Sequence, residues 1–62
     1  MVIELTQKQV SQLFKEGMKL EQVKTQTYNL EEKIYKTKNG KKVIHHIEKT
    51  NSFKLEYWAV TI

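Results

Sequence analysis

Cysteine, proline, arginine and aspartate are all missing from this chain, and glycine occurs only at positions 17 and 40. Without cysteine there is no disulfide and no thiolate zinc site. Without arginine there is no planar fork to read guanine edges or grip phosphate, so any attraction for phosphate falls to lysine as a point charge. Two isolated glycines cannot build a glycine-rich phosphate loop. No apolar run approaches the ~20 residues of a membrane span. The first residues carry Glu4 and lack the basic segment and long apolar stretch of a signal peptide. The expectation is a soluble, cytoplasmic protein with no membrane partner.

What is present is short and basic. The 62 residues are expected to form one domain, 1–62, with 11 basic residues, all lysine, against 7 acidic ones, all glutamate, for a net charge of +4. Hydrophobic residues make up 39% and fall in periodic patterns, which argues against disorder. A chain of this length buries only about 60% of its unfolded surface. Apolar burial and conformational entropy then nearly cancel. With disulfides excluded, oligomerisation is the remaining way to add stability.

The clearest local signal is Thr6-Gln7-Lys8-Gln9, a capping box with Thr6 as N-cap and Gln9 at N3. Leu5 and Val10 fit the hydrophobic staple around it. Val10, Leu13, Phe14 and Gly17 continue at helical spacing. Gly17 is expected to end the helix in a left-handed conformation, folding Met18 back on Leu13. An alternative carries the helix on to about Val23. A helix-turn-helix would need a second helix from Leu20 to Leu30, where Thr25, Thr27 and Tyr28 favour strand.

Beyond Lys24 the pattern is β. Asn39-Gly40 suits a two-residue type I′ turn, and Thr50-Asn51-Ser52 supplies a second turn. The expected fold is α+β: one N-terminal helix on a three-stranded antiparallel meander of roughly 25–37, 42–49 and 53–61. A short extra strand at Val2-Ile3-Glu4-Leu5 is allowed for.

The last strand is apolar on both faces. Phe53, Leu55, Tyr57 and Ala59 alternate with Trp58, Val60 and Ile62. A two-residue 39–40 loop pairs Lys36 with Val43 and Ile34 with His45. A three-residue 50–52 loop pairs His45 with Tyr57 and Val43 with Ala59. That register predicts a core face of Leu30, Ile34, Val43, Ile47, Phe53, Leu55 and Tyr57 beneath the helix. It lines up Tyr35, Ile44 and Trp58 on the outer face, with Lys33, His46, Glu56, Lys42 and Val60 around them. One helix covers one face, so the outer row needs a partner.

The chemistry-bearing residues do not assemble into a catalytic set. His45 and His46 are adjacent on a strand and point to opposite faces, so they cannot chelate one ion together. The plainer reading packs His45 against Tyr57 and leaves His46 at the surface near Glu56. Ser11 and Ser52 have no His–Asp pair beside them. Glu31 and Glu32 face apart, which is wrong for paired-carboxylate chemistry. No enzyme, cofactor or metal is expected.

The expected function is non-enzymatic binding, by self-association as a homodimer, by docking on a larger protein, or both. Tyr35, Ile44, Trp58 and Val60 would be the contact residues, rimmed by Lys33, His46 and Glu56. The alternative is a nucleic-acid or nucleotide-like anion site, using Lys36, Lys38, Lys41 and Lys42 in the 33–42 hairpin with Trp58 or Tyr35 stacking on bases. In composition alone, with no shared motif, this small lysine-rich chain resembles the accessory proteins of phages and other mobile elements. That resemblance implies an inhibitor or regulator of some larger protein.

Overall fold

In the computed structural model, which describes residues 1–61, the chain begins as an edge strand, β1 (Val2–Leu5), and turns at once into helix α1 (Gln7–Lys15). Four antiparallel strands follow: β2 (Lys19–Gln26), β3 (Leu30–Lys36), β4 (Lys42–Lys49) and β5 (Lys54–Thr61). The result is α+β with one helix and a five-stranded antiparallel sheet, ordered β1-β5-β4-β3-β2. The helix therefore links strands at opposite edges of the sheet.

The helix boundaries follow the sequence signals. Thr6 Oγ1 accepts from the Gln9 backbone N–H at 3.2 Å, and the Thr6 N–H donates to Gln9 Oε1 at 2.8 Å. Both halves of the capping box are thus made. At the other end Gly17 takes φ 111°, its N–H donates to the Phe14 carbonyl at 3.1 Å, and the Met18 N–H donates to the Leu13 carbonyl at 3.0 Å. This is the Schellman pattern. It drops Met18 into the interior at 3% exposure.

The strand count differs from the expected three. The extra N-terminal strand is present, and β2 is a strand that the sequence pattern conceals. It carries register shifts between Leu20 and Gln22 and between Val23 and Thr25. Each bulge inserts a residue, so Leu20 and Val23 sit three apart while still sharing a face. The expected strand 25–37 is accordingly cut by a turn at Thr27-Tyr28-Asn29-Leu30.

Both expected hairpin registers are displaced by one residue. At the 37–41 turn the Thr37 N–H donates to the Lys41 carbonyl at 2.9 Å, and only Gly40 has positive φ. The loop has three residues, Lys38-Asn39-Gly40, and pairs Lys36 with Lys42 and Ile34 with Ile44. At the next turn the Thr50 N–H donates to the Phe53 carbonyl at 2.8 Å, leaving a two-residue loop. His45 therefore pairs with Trp58, and His46 with Tyr57. A one-residue slip exchanges faces, so β3 and β5 are both inverted relative to the expected core while β4 keeps its placement.

The core forms where the helix meets the sheet. Val10, Met18 and Val43 are buried, with Leu5, Leu13, Tyr35, Trp58 and Val60 packed against them. Phe14 meets the rings of Tyr35 and Trp58 edge-on, at 5.5 and 5.6 Å between centroids. Tyr35 and Trp58 lie 5.0 Å apart. Trp58, the largest side chain of the sheet, and Tyr35 thus gather under helix α1, where their apolar area counts most.

Candidate contact surface on the helix-free face of the sheet

The register places Ile34, Ile44 and Ala59 directly opposite one another across β3, β4 and β5, on the face away from the helix. One row toward the β4–β5 turn come Glu32, His46 and Tyr57, then Leu30, Glu48 and Leu55. One row toward the β3–β4 turn, Lys19, Lys36 and Lys42 are aligned across β2, β3 and β4. The only helix is on the other side, so among the described residues no second layer covers this face. Ala59 is buried between its larger neighbours, Leu55 is 45% exposed, and Ile34, Ile44 and Tyr57 are half-buried by adjacent strands alone.

The surface is apolar along its middle and oppositely charged at its two ends. Three lysines stand in cross-strand register, an arrangement that like-charge repulsion disfavours. Among the described residues none of the three is paired with a carboxylate. At the other end His46 stacks on Tyr57 at 4.9 Å. Its Nδ1 lies 3.4 Å from Glu32 Oε2 and its Nε2 3.4 Å from Glu48 Oε1. A neutral ring can donate to one of these carboxylates and an imidazolium to both.

The expected contact row is not assembled. Tyr35, Trp58 and Val60 belong to the helix-side core, and Lys33 and Glu56 lie on that same face by register, whereas Ile44 and His46 lie on the helix-free face. The cause is the pair of one-residue slips. The histidine neighbours change for the same reason. His45, not His46, meets Glu56, donating from Nε2 to Oε2 at 2.8 Å, and it stacks on Trp58 at 3.9 Å. That hydrogen bond holds the Glu56 carboxyl below its ordinary value of 4.5 against the opposing cost of desolvation, with further help from the Lys54 ammonium at 3.6 Å. Ile62 lies outside the described residues.

Of the lysines, Lys36 and Lys42 face each other, while Lys38 and Lys41 lie in the turn. Lys19 joins the row through β2, an addition that the concealed strand kept out of sight. Leu30, Ile34, Leu55 and Tyr57, assigned by pattern to the core, are instead the apolar part of the open face. Tyr28 is fully exposed in the β2–β3 turn. Beside it an open depression of about 520 Å³ lies between two turns, lined by Tyr28, Asn29, Lys49, Thr50 and Asn51. Those side chains include no acid–base pair and no activated nucleophile. Among the described residues no cluster of three or more His, Cys, Asp or Glu has the makings of a metal site, and no helix is long and apolar enough to cross a membrane. No protein-family model, curated protein or solved structure matches this chain.

Proposed function

We propose that this is a small non-enzymatic binding protein that docks on a protein surface, its own or that of a larger target, through the helix-free face of its sheet. The observation that carries the reading is the Ile34–Ile44–Ala59 row, apolar, central to the sheet and, among the described residues, without a covering layer. Apolar patches of this kind, rimmed by charge, mark protein contacts. The anchors are therefore Ile44 and Tyr57, with Glu32, Glu48 and Lys42 as rim, in place of Trp58 and Tyr35. A role as regulator or inhibitor in the cytoplasm, of the sort found among phage and mobile-element proteins, is part of this proposal on compositional grounds.

A photo-crosslinking amino acid at position 44, in the cell that makes the protein, tests it. Adducts to polypeptide are expected from position 44 and not from Gln12, on the exposed side of the helix. Equal yields from the two sites would overturn the reading.

The Lys19–Lys36–Lys42 row favours one second reading, phosphate binding at that end of the sheet. It lacks a stacking partner there, because Tyr35 and Trp58 are engaged with Phe14 on the opposite face. Oligonucleotide affinity that falls steeply with salt, and is lost on replacing Lys36 and Lys42 with Gln, would support it over the first.

A further inference from the structure

We propose that the occupant of the helix-free face is a second copy of this chain, related by a two-fold axis lying along the Ile34–Ile44–Ala59 row. This deepens the docking role proposed above and rests on it. A face with lysines at one end and glutamates at the other is complementary to itself when a copy is turned end over end. With the axis along the central row, Ile34 and Ile44 meet their own counterparts above the buried Ala59, and Glu4, which pairs with Ala59 on the β1 edge, comes level with its own counterpart at the solvent-exposed rim. The row one step toward the β3–β4 turn then lies over the row one step toward the β4–β5 turn. Lys36 comes opposite Glu32 of the second copy, and Lys42 opposite His46, which Glu32 and Glu48 flank. Glu48, one row further out, comes level with the turn around Lys38. Lys36, without a carboxylate partner among the described residues of one chain, gains one, Lys42 comes beside the two that flank His46, Lys19 comes opposite Thr25, and each contact occurs twice.

Two sheets packed face to face bury the sheet face that helix α1 leaves open. A net charge of +4 opposes casual association, so the pairing of opposite ends is what selects this arrangement over others.

The test is a charge exchange between copies, read by light-scattering mass across a range of protein concentration. The unaltered protein is expected at twice 7.4 kDa. Glu32→Lys alone, and Lys36→Glu alone, place like charges opposite each other at two symmetry-related points, and each is expected to weaken association by roughly a hundredfold. Mixing the two variants restores opposite charges at both points and is expected to restore the dimer. Both positions are solvent-accessible, and far-UV circular dichroism checks that each variant folds. A dimer indifferent to both reversals, or a mixture that stays monomeric, would overturn the arrangement. A monomeric unaltered protein whose position 44 crosslinks to a heavier polypeptide would overturn self-association and leave the docking role standing. A monomer that crosslinks to no protein would remove both.

Discussion

Trp58→Phe separates a core role for this side chain from a contact role. Trp58 is stacked on His45 at 3.9 Å and met edge-on by Phe14 at 5.6 Å. Phenylalanine keeps a ring in place but gives up part of the apolar area and most of the overlap with the imidazole. About 40 Å² less burial at about 25 cal/mol/Å² costs about 1 kcal/mol. The weakened stack adds about 0.5 kcal/mol. A chain of this size is worth roughly 3–9 kcal/mol in all, so a loss of about 1.5 kcal/mol is large. It is expected to lower the melting temperature by about 5–10 °C. The assay is a far-UV circular dichroism melt at one fixed protein concentration, since a dimer's melting point depends on concentration. Light-scattering mass is measured on the same samples and is expected not to change. An unaltered melting point together with a fall in mass would place Trp58 at an intermolecular contact, and would refute its assignment beneath the helix.

Other substitutions probe the joints of the fold. Gly17→Ala adds a Cβ that meets nothing within 4 Å, but it forces an L residue to φ 111°; a loss of about 1–2 kcal/mol in denaturant unfolding is expected from backbone strain alone. Thr27→Val removes a hydroxyl that accepts from the Leu30 N–H and donates to the Leu30 carbonyl, each at 3.1 Å; about 1 kcal/mol should be lost by the same measurement. Glu56→Gln addresses pH. Because the folded carboxyl titrates below its ordinary value, its contribution is present above that value of 4.5 and fades as pH falls through the lowered one. The stability gap between the unaltered protein and Glu56→Gln should therefore be steady at neutral pH and narrow in acid; a gap that widens in acid would contradict the His45–Glu56 assignment.

The local signals in the sequence were more legible than the long-range ones. The capping box at Thr6 and Gln9 and the helix stop at Gly17 depend on residues a few positions apart, and both are formed. The register depended on loop lengths, where one residue decides which face every side chain takes. Asn39-Gly40 suggested a two-residue loop, but Asn39 has no positive φ and Gly40 alone turns the chain. A consistent turn signal was present in threonine. Thr27 and Thr50 each accept from the N–H three residues on, and Thr37 accepts from the Lys41 N–H. Thr27 and Thr50 hold their turns without the glycine or proline that usually marks them, while the Thr37 turn also uses Gly40. The concealed strand β2 has its own cause, since two bulges give Leu20 and Val23 a helix-like spacing. The candidate surface followed the register. Two apolar faces were evident from the alternation in β5, but which one the helix covers was not, because both slips invert β3 and β5 together.

The proposed dimer joins two copies through the helix-free face of the sheet. The direct measurement is a set of isotope-filtered nuclear Overhauser contacts in an equal mixture of labelled and unlabelled chains. Contacts between copies are expected from the methyl groups of Ile34, Ile44 and Ala59, and none from Val10 or Phe14. Contacts between copies that arise from Phe14 or Val10, with the Ile44 methyls silent, would contradict it.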